Sequence, residues 1–189
     1  MKNIIERAKN ILLNPKYEWE VIKGEATTIQ ELFTGYAIYL AAIPALAGWI
    51  GFSFSGWIPV GSTFGWAIVT YLLALAGAFI VGYIIDAFST TFGSTKDLAA
   101  SMKVSVFSST ASWVGGIFNI FNFLSFMSLV ASIYSLYLMY YGLKIVKNTP
   151  EDKTTGYFIT VLVISIVVYL IIGGITSAMF ITRYAITGN

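Results

Sequence analysis

One acidic residue, Asp86, stands beside a long uncharged stretch and is the first candidate for chemistry. No charged residue occurs from Leu32 to Ile85, so Asp86 ends an apolar segment. An ionisable group at the edge of such a segment suggests an ion or proton gate, with Lys96 or Lys103 as a partner. The alternative is a structural ion pair of Asp86 with either lysine, or side chains that extend to a membrane surface. We favour the structural pair.

Small hydroxyl residues form a second candidate group. They are Ser101, Ser105, Ser108, Ser109, Thr110 and Ser112. Several of them recur every four residues, which places them on one side of a helix. Such a face allows close helix packing with hydrogen bonds across the contact, or it lines a polar path. We favour packing, with Ser105 and Ser109 as the candidates on this face.

The apolar segment that follows carries a row of tyrosines. They are Tyr134, Tyr137, Tyr140 and Tyr141. Tyr134 lies deepest in the segment, and a buried tyrosine hydroxyl needs a hydrogen-bond partner. The serine-rich face is the expected partner. A cation bound by the rings is a further possibility. The candidate polar site therefore consists of Asp86, Lys96, Lys103, Ser105, Ser109 and Tyr134.

Most familiar catalytic and cofactor chemistry is excluded by composition. The chain has no Cys and no His, which removes the usual zinc and haem sites and nucleophiles activated by His. An aspartyl protease in the membrane needs paired acids, but Asp86 stands alone. The segment 93–96, Gly-Ser-Thr-Lys, is too short for a phosphate-binding loop. We expect no enzymatic activity, no cofactor and no metal, and a net charge of +2 does not suggest nucleic-acid binding.

The elements that position these residues are membrane-spanning helices. Hydrophobic residues make up 57% of the 189 residues and charged ones 11%, against about 25% charged in soluble domains. Charges are absent from 32–85, 104–143 and 154–182, and a span needs about 20 apolar residues. The predicted fold is an all-α bundle of five transmembrane helices. They cover about 32–51, 65–87, 99–118, 123–143 and 156–180.

The sequence also predicts two connections between the spans and a kink at one proline. Segment 52–64 contains Gly, Pro, Ser and Thr and is predicted to be a loop, and 119–122 is predicted to be a tight turn. Pro44 falls inside the first span and is expected to kink it. Residues 29–189 then form the transmembrane domain, preceded by the separate segment 1–28.

The distribution of basic residues predicts the orientation. Ten of the eleven Lys and Arg residues lie before the first span or in the loops after the second and fourth spans. Cytoplasmic loops carry the excess of Lys and Arg. We therefore predict a cytoplasmic N-terminus, an outside C-terminus and a place in the cytoplasmic (inner) membrane of the cell.

The N-terminal segment 1–28 has an amphipathic pattern. Apolar residues recur at helical spacing, at Ile4, Ile5, Ala8, Ile11 and Leu12. Polar residues oppose them, at Lys2, Glu6, Arg7, Lys9 and Asn10. Asn14-Pro15 ends this helix and starts another, and Thr28 with Glu31 forms a capping box for the first span. We favour a helix that lies on the inner leaflet, and the alternative is packing on the protein's own loops.

Five short segments, taken in order, resemble a known family. They cover 11–19, 42–45, 91–93, 112–119 and 134–144. Together they are similar to bacterial members of the YIP family, multi-pass proteins named for Ypt/Rab-interacting proteins. The chain has Ser94, Ala111 and Asn122 where members often have Gly, Pro and Pro. The resemblance implies five spans and a cytoplasmic N-terminus, and it does not imply an enzyme.

These observations predict a non-enzymatic protein that lies in the lipid bilayer. Its expected role is lateral contact with other membrane proteins, with lipids or with its own copies. The alternative is a small ion or solute channel or transporter. Asp86, Lys103 and the hydroxyls of the third span would then line the path.

Overall fold

The computed structural model describes the backbone of residues 3–55 and 60–187, and their side chains except at positions 52, 54–55, 60–63, 122 and 172–187. The described residues are helical and contain no strand, as the all-α prediction required. The α-helices, in chain order, are α1 (Ile4–Leu13), α2 (Pro15–Gly24), α3 (Ile29–Leu32), α4 (Ile38–Ser55), α5 (Val60–Phe88), α6 (Leu98–Ser108), α7 (Thr110–Gly115), α8 (Ser125–Ile145) and α9 (Glu151–Thr187).

Four helical segments are long and apolar enough to cross a membrane. They are Ile29–Gly51, Phe64–Phe88, Ser125–Ile145 and Glu151–Ile171, each of 21 to 25 residues. A helix of about 20 residues spans the hydrocarbon core of a bilayer. These segments correspond to the first, second, fourth and fifth predicted spans. The first three lie within three residues of the predicted bounds, whereas the last begins five residues before the predicted 156–180.

The third predicted span, 99–118, is divided rather than continuous. Helix α6 ends at Ser108, α7 follows from Thr110, and a 3₁₀-helix covers Gly116–Ile120. Serine hydroxyl groups form hydrogen bonds with backbone atoms at the break. Ser109 Oγ donates to Ser105 O at 2.9 Å, and Ser112 N donates to Ser135 Oγ of α8 at 2.8 Å. Backbone bonds from Ser109 N to Ser105 O and from Trp113 N to Ser109 O remain, so these side-chain bonds accompany an interruption of one residue that involves no proline.

The connections differ in length from the prediction. Helix α4 continues to Ser55 and α5 begins at Val60, so the loop predicted over 52–64 is too long, and its centre, 56–59, lies outside the described residues. The 119–122 turn consists of short 3₁₀-helices. A π-helix, Phe33–Ala37, joins α3 to α4, and Pro44 lies inside α4.

The capping box at the start of the first span is confirmed. Thr28 N donates to Glu31 Oε2 at 2.9 Å, and Glu31 N donates to Thr28 Oγ1 at 3.2 Å. These bonds satisfy backbone donors that have no partner within the helix. The helix therefore begins where the sequence placed it, four residues before the apolar stretch.

The segment α6–α7 lies at the centre of the bundle. Helix α5 packs on α4 and α6, α8 packs on α6 and α7, and α9 packs on α5 and α8. Every residue of α6 from Ser101 to Ser108 is buried. The central position explains why its serines face other helices and not lipid.

Helices α1 and α2 form a hairpin that packs along the bundle, and we call them the N-terminal hairpin. Ile11, Trp19 and Ile22 are fully buried in the same core as Val104 and Leu138. The Trp19 ring meets Phe107 of α6 edge-on, with centroids 6.4 Å apart. The hairpin therefore shares one hydrophobic core with the apolar helices, and its place on the leaflet stays a prediction.

The exposed face of the hairpin differs from the predicted one at Arg7. The sequence placed Arg7 with the solvated residues, but its side chain is 1% exposed. Ile5 and Leu13 are largely exposed instead. The predicted amphipathic helix is present, but its buried face is rotated toward Arg7 because carboxylates from α2 and its C-terminal end bind the guanidinium.

Candidate functional site

The partner of Asp86 is Lys147, in the loop between α8 and α9. Lys147 Nζ lies 3.8 Å from Asp86 Oδ1 and donates to Asp97 O at 3.1 Å. Ser101 Oγ lies 3.3 Å from Asp86 Oδ1 and donates to Asp97 O at 2.8 Å. We call Asp86, Asp97, Ser101 and Lys147 the loop clasp. It joins the end of α5, the start of α6 and the loop after α8.

The predicted pairing of Asp86 with Lys96 or Lys103 is wrong. Lys96 is exposed in the loop before α6. Lys103 extends toward the N-terminal hairpin on another side of α6. Lys147 pairs with Asp86 instead, because the loop after α8 folds back over the end of α5 and the start of α6. The two residues are far apart in sequence, so no local pattern predicts this contact.

Burial has an electrostatic consequence at Lys147. Its side chain is 0% exposed, and burial lowers the pKa of its ammonium, while the carboxylates of Asp86 and Asp97 offset part of that shift. A lowered folded-state pKa means that protonated Lys147 opposes folding, and this cost decreases as the pH rises through that pKa. The pair with Asp86 is therefore needed to hold the charge inside the clasp.

Lys103 fastens the hairpin to the bundle. Its ammonium donates to Ile22 O at 3.2 Å and to Glu25 O. These carbonyls belong to the last turn of α2 and its cap, where helical carbonyls have no partner within the helix. A cation there also complements the negative end of the helix dipole. Lys103 is thus a structural anchor for α2.

A second charged group within the hairpin was missed by the sequence analysis. Arg7 Nη1 donates to Glu18 Oε1 at 2.5 Å, and Nη2 donates to Glu25 Oε1. The guanidinium carbon lies 5.6 Å from the centre of the Phe107 ring. We call Arg7, Glu18 and Glu25 the hairpin ion cluster. The signal that could have revealed it is the place of Arg7 four residues before Ile11, on the same side of α1.

The candidate hydroxyls make bonds within and between helices. Ser105 Oγ donates to Ala78 O of α5 at 2.5 Å, and Ser109 Oγ donates to Ser105 O of its own helix. Thr110 Oγ1 lies 2.8 Å from the Tyr36 hydroxyl. The preferred packing interpretation therefore describes what Ser105 does, while Ser109 bonds within its own segment.

Tyr134 finds its partner in the hairpin. Its hydroxyl donates to Leu12 O at 2.8 Å, so the expectation of a bond to the serine-rich face is wrong. Leu12 lies in the last turn of α1, where carbonyls are free to accept. The bond shows that the turn of the hairpin reaches the middle of α8.

The described residues offer no cluster of three or more Cys, His, Asp or Glu side chains that could hold a metal ion. One outward-facing groove lies between α4 and α5, with a volume of about 170 Å³ and apolar walls that include Ala45, Phe64 and Ala67. The candidate residues together do not surround one reaction centre. They form separate contacts that hold the hairpin, the loops and the helices in place.

Residues 9–173 match the family model of the Yip1 domain. The chain belongs to the Yip1 domain family. No curated protein and no solved structure matches the chain. The Yip1 domain includes the loop clasp, Lys103 and the glutamates of the hairpin ion cluster, whereas Arg7 lies just before the matched residues. The resemblance to the YIP family is thereby confirmed at the level of the family.

Proposed function

We propose that this Yip1-domain protein acts by lateral contact with lipids or with other membrane proteins, its own copies included, and catalyses no reaction. The main support is that its candidate ionisable residues form contacts within the chain. Asp86, Lys103 and Arg7 all bind groups of the same chain and fasten helices to one another. The outer faces of α5, α8 and α9 are apolar and open to contact.

The proposal includes five crossings, with the N-terminus in the cytoplasm and the protein in the cytoplasmic membrane. Ten of the eleven basic residues favour this orientation. The α6–α7 segment supports a fifth crossing, because Leu98–Gly115 supplies about 27 Å of helix even though it is interrupted at Ser109. The 3₁₀-helix that follows adds further length.

Reporters fused to the two ends of the chain test this topology. We expect an N-terminal reporter to be active only in the cytoplasm and a C-terminal reporter only outside, because an odd number of crossings separates the ends. A third reporter, inserted at 56–59 between the first two spans, is the control for the two terminal reporters. We expect it to be active only outside. Both terminal reporters on one side would contradict the five-crossing proposal.

Proteoliposomes test the lateral-contact role against the channel or transporter role. We expect purified full-length protein to give no ion flux above that of empty vesicles, and Asp86→Asn to leave this level unchanged, because Asp86 serves the loop clasp. A known ionophore added at the end confirms that the vesicles are sealed. Flux in the wild type that disappears in Asp86→Asn would overturn the proposal and favour a path along Asp86, Lys103, Ser105 and Ser109.

A further inference from the structure

An exposed apolar stripe on α8 ends at tyrosines beside a lysine of the hairpin. The stripe consists of Phe126, Val130, Ile133 and Tyr137, spaced by three or four residues along one face. Ile133 is 60% exposed and Tyr137 is 40% exposed. Tyr137 adds a phenolic hydroxyl to this face after three exposed apolar side chains. This turn of α8 therefore marks a boundary between an apolar and a polar surface.

The polar end of the stripe is built from three side chains. The rings of Tyr137 and Tyr141 lie against each other, with centroids 4.8 Å apart. Lys16 Nζ of α2 lies over the Tyr141 ring, 5.1 Å from its centroid. The two phenolic hydroxyls bond to each other, so the ammonium and the remaining phenolic proton are the donors that can bind one anion.

The charge of Lys16 is not neutralised by the protein. The ion pairs of the described residues engage Arg7, Lys144 and Lys147, and none includes Lys16. Lys144, at the same end of α8, donates to Glu151 Oε1 at 2.5 Å and is already paired. The polar end of the stripe therefore presents a cation that lacks a carboxylate partner.

We propose that this surface binds an anionic phospholipid of the inner leaflet. The lipid phosphate lies at Lys16, Tyr137 and Tyr141, and an acyl chain follows Ile133, Val130 and Phe126. From Ile133 to Tyr141 the helix rises by about 12 Å, which carries the surface from hydrocarbon depth to headgroup depth. The hairpin thus supplies the headgroup contact and α8 supplies the contact with the tail.

The same geometry favours an anionic over a zwitterionic headgroup. A choline group would seek the face of an aromatic ring. Lys16 already occupies the face of Tyr141, and its charge repels a second cation. A phosphatidylglycerol headgroup brings a negative charge without that cation. The sequence analysis considered a cation bound by the tyrosine rings. In the structure the ammonium of Lys16 lies over one of these rings, that of Tyr141.

This inference deepens the proposed function and rests on it, because it names the class of lipid that makes the contact. The full-length protein in a non-ionic detergent is titrated with phosphatidylglycerol or phosphatidylcholine, and bound lipids are counted by native mass spectrometry. We expect Lys16→Gln to weaken binding of phosphatidylglycerol about five-fold, the effect of one cation near a headgroup. Tyr137→Phe is expected to weaken it less, and Lys16→Arg to retain it.

Lys9→Gln is the matched control, because Lys9 is an exposed lysine of the same hairpin. We expect it to change binding less than two-fold. Equal losses in Lys9→Gln and Lys16→Gln, or equal retention of the two lipids by the wild type, would overturn the lipid site. Flux in proteoliposomes would instead overturn the proposed function, so the two failures are distinguishable.

Discussion

Replacing Arg7 with Met is expected to lower the free energy of unfolding by about 3–5 kcal/mol. Arg7 is 1% exposed and Glu18 is 0% exposed, so the pair is shielded from water. The substitution keeps most of the side-chain volume but removes the guanidinium that binds both Glu18 and Glu25. Breaking one partner out of a buried ion pair costs far more than breaking an exposed one.

Unfolding by sodium dodecyl sulfate in mixed micelles, followed by circular dichroism, measures this loss. Lys9→Met is the matched control because it removes an exposed cation from the same helix, and we expect a change within about 0.5 kcal/mol. The double variant Arg7→Met with Glu18→Leu is expected to recover part of the loss, since an apolar pair often replaces a buried ion pair without penalty. Equal effects of Arg7→Met and Lys9→Met would show that the hairpin ion cluster does not stabilise the fold.

Hydrogen exchange locates the same effect within the chain. The hairpin is held by the ion cluster, by Lys103 and by the Trp19 contacts. Loss of the hairpin ion cluster in Arg7→Met is expected to speed amide exchange in α1 and α2 more than in α5 or α9, because local opening releases the hairpin first. Uniformly faster exchange would indicate instead that the whole bundle is weakened.

The sequence alone predicts the long apolar helices because lipid imposes a strong constraint on composition. Uncharged stretches of about 20 residues locate the spans, and caps such as Thr28 with Glu31 locate their starts. The break at Ser109 is marked by no proline or glycine, and one of the two hydroxyl bonds beside it comes from Ser135, which is distant in sequence and accepts from Ser112 N.

The polar contacts were less predictable, because each depends on how elements pack. Lys147 is one of several basic residues near the loop after α8, and nothing local distinguishes it as the partner of Asp86. Arg7 was assigned to water because of its charge, although it shares a face with Ile11. Pattern analysis assigns a charged residue to the polar side by default. A buried ion pair is visible only once both partners are placed.

These contacts also bear on what the protein can do. Residues that seemed candidates for a path, such as Asp86 and Lys103, are bound to groups of the same chain. Where the hairpin meets α8, the exposed apolar surface of that helix adjoins Lys16 and its neighbouring tyrosines. Specific recognition of a lipid or protein partner requires polar as well as apolar contacts. That junction therefore combines the features needed for selective contact within the membrane.

Gly116, at the start of the 3₁₀-helix, lies in close contact with Pro44 of α4. A Cβ atom added at Gly116 would lie 2.8 Å from Pro44 Cα and would overlap Pro44 Cβ. Both atoms belong to a rigid ring fixed to the backbone of α4, so neither can move aside as a flexible side chain would. The backbone of Gly116 itself is ordinary, with φ of -59°, so any cost of substitution there comes from packing.

Gly116→Val is therefore expected to lower the free energy of unfolding by about 3 kcal/mol, and Gly116→Ala by a smaller amount, because overpacking forces α4 away from the 3₁₀-helix. The same detergent titration measures both. Gly65→Val in α5 is the matched control, since an added Cβ there meets nothing within 4 Å. Equally mild effects of Gly116→Val and Gly65→Val would show that the close approach of Gly116 to Pro44 does not hold α4 against the 3₁₀-helix.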